Sequence, residues 1–291
     1  MANPIVVVGD TAVDVLARYA GDVLPGGDQK AGIHTALGGA GANTAAWLAH
    51  LGAPTVLVGR VGDDPAGRQA VAELTEAGVR CAHVVDPTAP TSCVVVLVDG
   101  HGQRSMLSDR GAGGHLQPTD LPTTLLDDAA HLHLSGYVLL DESSRTAGVA
   151  MLAAAQEAGL TTSVDPQVAA PLHGFIDLVR GVDLLLPNTD ELAALTGTRD
   201  PESAVALLDA VDAVAVTMGA AGACWVDRDG VVTVPTEQVE CVDSTGAGDA
   251  FNAATLITWL AGEAPVDVLR AGVRAGTTAV RQVGAQPVRS R

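Results

Sequence analysis

The chain has 291 residues, of which 47% are hydrophobic, only 2% aromatic and 17% charged, and its formal net charge at pH 7 is −18. A chain of this length can bury a sizeable core, and with so few aromatic rings that core must consist of Ala, Val and Leu. The acidic balance excludes nucleic acid and an anionic membrane surface as partners, and it requires any bound phosphate to be held by local amides, arginine or metal.

Residue types that are scarce exclude further classes. Lys30 is the single lysine, so there is no Gly-Lys-Ser/Thr triplet and no Walker-type phosphate loop. No apolar run approaches the roughly 18 residues of a membrane span, and a predicted strand occupies the region where a signal peptide would lie. We therefore expect a cytoplasmic protein. Burial as small hydrophobes is expected for the cysteines, which show neither close pairing nor metal-ligand spacing: Cys81, Cys93, Cys224 and Cys241.

Short β-branched runs alternate with helical segments along the chain, which is typical of an α/β fold with a largely parallel sheet. Asp64 and Pro65 predict the N-cap and first residue of one helix, which stops at Gly78. The other predicted elements are, in chain order, strand 5–8, helix 42–51, strand 55–58, helix 144–158, strand 161–165, strand 183–186, helix 190–195, strand 213–217, helix 247–261 and helix 266–283.

Two segments, residues 13–35 and 91–108, break this rhythm. The second predicts a hairpin, with strands 92–98 and 104–108 joined through the turn-rich sequence Asp-Gly-His-Gly at 99–102. Such strands need a partner sheet, which the two segments can supply to each other. We therefore expect a small β lid inserted into a single domain that spans residues 1–291.

The segment 243–249 (Asp-Ser-Thr-Gly-Ala-Gly-Asp) leaves the backbone bare where the helix at 247–261 begins. Unpaired amides at a helix N-terminus form an anion site, because the N–H groups and the helix dipole point the same way. Asp249 lies in the first turn, within reach of a bound anion, and is a candidate general base. The motif indicates phosphoryl transfer to a hydroxyl; the alternative is an N-capped surface helix with a flexible entry.

Two more motifs follow predicted strands early in the chain. The segment 38–43 (Gly-Gly-Ala-Gly-Ala-Asn) indicates either close approach of the backbone to a small ligand or a tight strand–helix junction. The segment 9–14 (Gly-Asp-Thr-Ala-Val-Asp) lies at the carboxyl end of the first strand, where ligands bind in open α/β sheets. A carboxylate there can accept hydrogen bonds from sugar hydroxyls; an N-cap role for Asp10 or Asp14 is the alternative.

The segment after strand 183–186 carries candidate magnesium ligands. Asn188 and Glu191 are three residues apart, so both can face one side of a first helical turn. Their oxygens suit Mg²⁺, usually through water, and a capping box is an alternative that is compatible with this role. The turn at 216–222 has no large side chain except Met218, so a flat nucleotide can lie there.

Together, and in this order, these motifs resemble those of the ribokinase-like sugar kinases, the PfkB carbohydrate kinase family, over essentially the whole chain. The resemblance implies a ribokinase-like α/β fold with a central, mostly parallel sheet between helices and a small β-sheet lid over the sugar. It also implies an ATP- and Mg²⁺-dependent kinase that phosphorylates the hydroxymethyl group of a small sugar of the ribose, fructose or ketodeoxygluconate type.

The resemblance also assigns roles to individual residues. Asp249 would be the general base, and the amides of Gly246, Ala247 and Gly248 would form the anion hole for the γ-phosphoryl group. The implied ATP and magnesium residues are Asn188, Glu191 (through water), Thr217, Gly219 and Gly222. The implied sugar residues are Asp14, Gly39, Gly41, Asn43 and Asp249. K⁺ would be held by Asp243, Thr245, Ala279, Gln282 and Gly284, although Val288 stands where ribokinases place a serine hydroxyl.

The sequence does not decide which molecule accepts the phosphoryl group. Ala40 replaces the lysine that ribokinases carry, while Leu-Ser-Gly at 134–136 looks more like ketodeoxygluconate kinases and fructokinases. Arg110 can reach an acidic or phosphorylated substrate, or it is an ordinary helix-end or surface arginine. The low aromatic content argues against a nucleoside, although Tyr19, Tyr137 and the three Trp are possible stacking partners. The alternatives are a nucleoside kinase of the adenosine or pseudouridine type and a non-catalytic sugar-binding relative; the outer lid face is a candidate homodimer surface.

Overall fold

The computed structural model describes residues 3–21, 26–101, 104–167 and 172–288. Within these residues the strands are, in chain order, β1 (Ile5–Val8), β2 (Ala12–Tyr19), β3 (Ala31–Gly38), β4 (Thr55–Gly62), β5 (Arg80–Asp86), β6 (Ser92–Val98), β7 (Arg104–Asp109), β8 (His131–Ser135), β9 (Thr161–Asp165), β10 (Leu184–Leu185), β11 (Ala213–Thr217), β12 (Ala223–Asp227) and β13 (Gly230–Val234). The helices are α1 (Ala40–His50), α2 (Pro65–Glu76), α3 (Thr124–Asp127), α4 (Tyr137–Leu140), α5 (Glu142–Glu157), α6 (Phe175–Leu178), α7 (Thr189–Thr196), α8 (Ala247–Leu260) and α9 (Pro265–Ala279).

The main sheet has nine strands among the described residues, in the order β13-β12-β11-β10-β9-β8-β1-β4-β5. The strands from β11 to β5 pair in parallel, and β12 and β13 form an antiparallel edge. Strand β1, in the interior of the sheet, is buried along its whole length, as expected for a parallel strand that is covered on both faces.

Helices cover both faces of this sheet. Val6 and Val8 belong to the apolar cluster that includes α5, whereas Ile5 and Val7 belong to the cluster formed with α1, α8 and α9. This alternation follows from the two-residue period of a strand. The carboxyl ends of the parallel strands therefore meet at one edge of the sheet, between the two helical layers. No helix in the described ranges is both long and apolar enough to span a membrane.

The predicted fold class is confirmed, and so are several element bounds: β1, β6, β9 and β11 have the predicted limits. The predicted end of the last helix at residue 283 was wrong. Helix α9 ends at Ala279 because the carbonyl oxygen of Val280 accepts hydrogen bonds from the amides of Val242 and Asp243, 2.8 and 3.2 Å away. The predicted strand at 183–186 is reduced to β10, which has only two residues.

The predicted small sheet is present as a four-stranded sheet in the order β3-β2-β6-β7, which we call the lid sheet. Strands β2 and β6 are parallel and the other two pairs are antiparallel, so the two irregular segments do supply partners to each other. Residues 22–25 and 102–103 of the predicted lid lie outside the described residues. An N-cap role for Asp10 or Asp14 was wrong, because β2 and not a helix follows β1.

The β6–β7 hairpin of the lid sheet is fixed at its root. Asp64 caps α2 by accepting a hydrogen bond from the amide of Gly67, and the same carboxylate accepts bonds from the amide and hydroxyl of Thr91. The hydroxyl of Ser92 donates to the carbonyl oxygen of Arg110 at 2.6 Å, so the entry and exit of the hairpin lie side by side.

Candidate active site

The candidate site lies at the carboxyl ends of four neighbouring strands, β1, β8, β9 and β10. Asp10 follows β1, Ser135 and Asp165 end β8 and β9, and Asn188 follows β10 after two residues. The first turn of α8 packs against this edge and carries Asp249. The segments that sequence reasoning singled out are therefore brought together by the parallel topology itself.

The glycines of the 38–43 motif permit very close backbone approach. Gly39 has a φ of 94°, and a Cβ atom there would lie 2.6 Å from the carbonyl oxygen of Asp10. A Cβ atom on Gly41 would lie 2.6 Å from the Cα atom of Gly9. Of the two roles expected for this motif, approach to a ligand and a tight strand–helix junction, the geometry shows the junction. It places α1 directly against the residues that follow β1.

At the start of α8, Gly246 has a φ of 75°, and a Cβ atom on it would collide with the carbonyl oxygen of Ala285. The next residues enter the helix without a side-chain cap from the described part of the chain. At Gly248, by contrast, the Cβ position faces open space. Since α8 is buried over much of its length, the alternative of an N-capped surface helix was wrong. Ala247 and Gly248 of the first turn line a cavity.

Asp249 is buried in this turn, and both of its carboxylate oxygens accept hydrogen bonds. Its Oδ2 atom accepts a hydrogen bond of 3.1 Å from Nδ2 of Asn43, and its Oδ1 atom accepts one of 3.5 Å from the hydroxyl of Thr44. Burial, together with the charges of Asp165 and Asp10, raises the pKa of Asp249 to about 8. A carboxylate with this pKa can take up a proton near neutral pH.

Asp165 and Asn252 form a pair that sequence reasoning missed. Asn252 follows Asp249 by three residues on α8 and donates a hydrogen bond of 2.5 Å from Nδ2 to Oδ2 of Asp165. Burial raises the pKa of Asp165 well above its ordinary value, and the charge of Glu191 raises it further. A polar residue on the buried face of an apolar helix was the available signal for Asn252.

Asn188 and Glu191 form the capping box of α7. The side-chain oxygen of Asn188 accepts hydrogen bonds from the amides of Asp190 and Glu191, and Glu191 Oε2 accepts one of 2.8 Å from the amide of Asn188. Glu191 is buried, and burial together with the charges of Asp190 and Asp249 raises its pKa to about 7. The predicted capping alternative is therefore confirmed, and the carboxylate still lies close enough to Asp249 to influence it.

A cavity of about 730 Å³ opens beside the first turn of α8. It brings together the predicted nucleotide residues Asn188, Thr217, Gly219 and Gly222 with Ala247 and Gly248. Glu191 and Gly246 are not among its wall residues. The remaining walls come from the chain that precedes α8 and from α7, the 219–221 turn, α8 and α9: Thr189, Asp190, Ala220, Thr236, Glu237, Gln238, Val239, Cys241, Ser244, Phe251, Val273, Gly276, Thr277 and Val280.

On the other side of Asp249 lies a group of polar residues that we call the acceptor end: Asp10, Asp14, Asn43, Arg110, Tyr137 and Asp141. Arg110 Nη1 lies 3.7 Å from Asp10 Oδ2, and its guanidinium carbon lies 4.6 Å from the centre of the Tyr137 ring. Burial raises the pKa of Asp14 to about 6, and the charge of Asp10 adds to this. Two of these residues, Asp14 and Arg110, lie on or next to the lid sheet.

Asp243 organises the chain that leads into α8. Its Oδ1 atom accepts hydrogen bonds from the amide and hydroxyl of Thr245, 3.0 and 2.6 Å away, and its Oδ2 atom accepts one of 3.1 Å from the amide of Gly284. The backbone amide of Gln282 donates a hydrogen bond to the carbonyl oxygen of Ala279. The structure thus brings Asp243, Thr245 and Gly284 together through protein hydrogen bonds, and Val288 is exposed nearby in sequence.

The model of the pfkB family carbohydrate kinases matches residues 2–290. This chain belongs to the pfkB family of carbohydrate kinases. It is 34% identical over 270 residues to a fructokinase of Klebsiella pneumoniae, covering 88% of this chain and 84% of that protein. It is also 34% identical over 252 residues to an ATP-dependent ribose-1-phosphate kinase of Halopiger xanaduensis, covering 85% and 81% of the two chains.

The fold agrees with this membership. The structure of Arabidopsis thaliana ribokinase in complex with ribose and ATP superposes with a TM-score of 0.83 at 26% identity, covering 98% of this chain and 95% of that one. The family and the fold predicted from the motifs are therefore confirmed.

Proposed function

We propose that this pfkB kinase transfers the γ-phosphoryl group of ATP to the hydroxymethyl group of a small sugar of the ribose, fructose or ketodeoxygluconate type. The observation that carries this proposal is the position of Asp249. Its carboxylate stands in the first turn of α8, between a cavity of about 730 Å³ and the polar acceptor end. A base in this position can take the proton of a hydroxyl while the helix amides meet the transferring group.

In this mechanism Asp249 is the general base. Asn43 and Thr44 hold its two oxygens from α1, so the carboxylate is oriented before a sugar arrives. Its raised pKa makes it a stronger base than an ordinary aspartate, so it gains affinity for the hydroxyl proton as charge develops on the attacking oxygen. Asp14, Gly39, Gly41, Asn43 and Arg110 would bind the sugar beside it.

The amides of Gly246, Ala247 and Gly248 would form the anion hole. Gly246 is held in a left-handed conformation against Ala285, and the Cβ position of Gly248 is open, so the turn is fixed on one side and accessible on the other. Such fixed donors stabilise charge without reorganising during the reaction. This arrangement suits phosphoryl transfer, which depends mainly on positioning and charge stabilisation.

The cavity fits a nucleotide better than it fits a second sugar. Its walls include the small residues Thr217, Gly219 and Gly222, which leave room for a flat base, and Ala247 and Gly248 at the start of α8. ATP would supply the phosphoryl group and Mg²⁺ would neutralise its oxygens, with Asn188 and Glu191 organising the metal, the latter through water. The nearby carboxylates with raised pKa values are consistent with a site that gains stability from a bound cation.

The central experiment is a coupled assay for ADP release with Mg-ATP and a panel of pentoses, hexoses, keto-acids and nucleosides. Sugar-dependent ADP release, with the phosphate on the hydroxymethyl group by NMR, is expected. A panel in which only nucleosides react would replace the sugar with a nucleoside as acceptor. Sugar binding without ADP release would indicate a non-catalytic relative instead.

Cys241 offers a direct test of the nucleotide assignment. It is the exposed member of the four cysteines and lies in the wall of the cavity, whereas Cys81 and Cys93 are half-buried and Cys224 is buried. ATP should slow alkylation of Cys241 while alkylation of Cys81 and Cys93 keeps its rate. Equal alkylation of Cys241 with and without saturating ATP would place the nucleotide elsewhere.

We also propose that K⁺ supports the loop before α8. Its ligands would come from Asp243, Thr245, Ala279, Gln282 and Gly284. Asp243 already joins Thr245 to Gly284, so a cation would only add to existing contacts.

We further propose that two copies of the chain associate through the lid sheets. Ile33, Met106 and Leu107 of the lid sheet are each more than 60% exposed. A homodimer in light scattering, lost on changing Met106 and Leu107 to Ser, is expected; a monomer at high concentration would refute the dimer.

A further inference from the structure

The acceptor end contains one cation, Arg110, and its charge is already engaged by two carboxylates. Arg110 Nη1 lies 3.7 Å from Asp10 Oδ2, and Arg110 Nε lies 4.0 Å from Asp141 Oδ2. The guanidinium also stacks over the ring of Tyr137, with 4.6 Å between its carbon and the ring centre. Its side chain is only 27% exposed, so these partners surround it on several sides.

Both carboxylates are fixed by the framework through their other oxygen. Asp10 Oδ1 accepts hydrogen bonds from the amide of Gly41 and the hydroxyl of Ser135, 3.3 and 3.4 Å away. Asp141 Oδ1 accepts bonds from the amide and hydroxyl of Ser143, because Asp141 is the N-cap of α5. Each aspartate therefore holds Oδ2 towards Arg110 without having to reorient.

The surroundings of Arg110 are negative on balance. Asp10, Asp14 and Asp141 supply three carboxyl groups against one guanidinium, and Asp249 adds a fourth negative charge only above its raised pKa of about 8. The charge of Asp10 contributes to the raised pKa values of three different groups, Asp14, Tyr137 and Asp249, so its field extends across the whole acceptor end. An incoming anion would meet this field before it could reach Arg110.

We infer that the acceptor is an uncharged polyol and that sugar acids and sugar phosphates are rejected. A neutral sugar can donate its hydroxyl protons to Asp10 and Asp14 and accept hydrogen bonds from Arg110 without breaking any ion pair. A carboxylate or phosphate would instead compete with Asp10 and Asp141, 3.7 and 4.0 Å from the guanidinium nitrogens, for the charge of Arg110, and would bring a further negative charge next to both. This inference rests on the proposed kinase function and narrows its acceptor, because it removes the ketodeoxygluconate type.

The test compares each neutral sugar with phosphates that keep a free hydroxymethyl group: D-ribose against ribose 1-phosphate, and D-fructose against both fructose 1-phosphate and fructose 6-phosphate, with 2-keto-3-deoxygluconate as a sugar acid. In each pair the neutral member should have a kcat/KM larger by roughly 100-fold or more, the order expected from several kcal/mol of like-charge repulsion. An equal or larger kcat/KM for the anionic member would overturn the inference and leave the kinase function intact.

Variants test whether Arg110 pairing causes the discrimination. Asp141→Asn keeps an N-cap of similar strength and releases part of the Arg110 charge, so the gap between neutral and anionic sugars should narrow by about tenfold. Arg110→Gln should widen the gap. Asp177→Asn is the matched control, because Asp177 is exposed and pairs with Arg180 at 3.4 Å on the surface. An unchanged gap in Asp141→Asn would contradict the argument.

If no sugar is phosphorylated at all, the proposed kinase function fails, and calorimetry with the same pairs decides the inference independently. Binding of the phosphorylated member that is lost in Arg110→Gln would overturn it. Binding of the neutral member without the phosphorylated member would uphold it, and binding of neither would overturn it.

Discussion

On one side of the first turn of α8 lies a cavity of about 730 Å³ walled largely by backbone and small side chains, and on the other lies a group of carboxylates held in fixed hydrogen bonds. The cavity side, which we call the nucleotide side because we propose that ATP binds there, is lined in part by Ala247 and Gly248. The acceptor side presents oxygens at Asp10, Asp14 and Asp249, whose burial and mutual repulsion raise the last two pKa values. On our proposal, this short turn joins a surface that stabilises the transferring phosphoryl group to one that takes up the hydroxyl proton.

The acceptor side is tested most sharply by Asp249→Asn, which keeps the shape of the side chain and removes the base. We expect kcat to fall by roughly 10²–10⁴-fold, the usual contribution of general-base catalysis. ATP affinity, measured by protection of Cys241 from alkylation, should change little because the cavity lies on the other side of the turn. Wild-type turnover in this variant would show that Asp249 is not the base.

The pH profile gives a second readout of the same residue. In wild-type protein, log kcat/KM should rise with pH and level off above about pH 8, because Asp249 acts as a base only when ionised and its pKa is raised to about 8. The residual activity of Asp249→Asn should lack this rise. An identical slope in both proteins would assign the titration to another group.

On the nucleotide side the corresponding change is Gly246→Ala. Its Cβ atom would collide with the Ala285 carbonyl oxygen and displace the amides of the first turn, so kcat should fall by about 10²-fold, as on losing one anion-hole donor. Gly262→Ala is the control, since Gly262 has a similar φ of 77° but open space at its Cβ position. Equal losses in both variants would mean that backbone strain alone is responsible.

Asp249→Asn, which lowers activity, should raise the thermal stability of the protein at high pH. The folded-state pKa of Asp249 is raised from 3.8 to about 8, so this residue contributes stability below about pH 4 and loses it as pH rises to 8. Asp249→Asn should therefore melt above wild type at pH 8, with a smaller difference at pH 5, by about 2–4 °C for each kcal/mol regained. Calorimetry showing a lower melting temperature at pH 8 would refute this.

The smallest expected effect concerns the loop that supports the nucleotide side. Because Asp243 already accepts hydrogen bonds from Thr245 and Gly284, K⁺ should activate only a few-fold over Na⁺. Asp243→Asn should abolish this activation. Equal rates in K⁺, Na⁺ and a bulky organic cation at matched ionic strength would show that the protein hydrogen bonds suffice.

Sequence patterns predicted those features that depend on local geometry. The three-residue spacing of Asn188 and Glu191 allowed the capping box, the alternative to a magnesium role, because that motif follows from helix geometry. The lid sheet followed from the hairpin pattern of residues 91–108, and the family and the main sheet from the resemblance of the motifs to those of the pfkB kinases. The anion site at residues 246–248 stays a prediction. The short β10 and the early end of α9 depend instead on tertiary hydrogen bonds, such as those to the carbonyl oxygen of Val280.

Features of the site that depend on long-range contacts were missed. Asp165 meets Asn252 across 87 residues and Asp10 meets Arg110 across 100, and no local period indicates which carboxylate will face which partner. The walls of the cavity between residues 236 and 241 have no helix or strand pattern, so only their position before the 243–249 motif hinted at a role.

The paired root of the β6–β7 hairpin has a consequence for how this protein can diversify. Ser92 and Arg110 lie side by side and Asp64 anchors Thr91 to α2, so the hairpin leaves the body and returns to it at almost the same point. Because the root is held independently of the tip, the turn that joins β6 to β7 can be lengthened or exchanged without moving the elements at the root. Strand β6 stays paired with β2, so such changes leave the rest of the lid sheet in place.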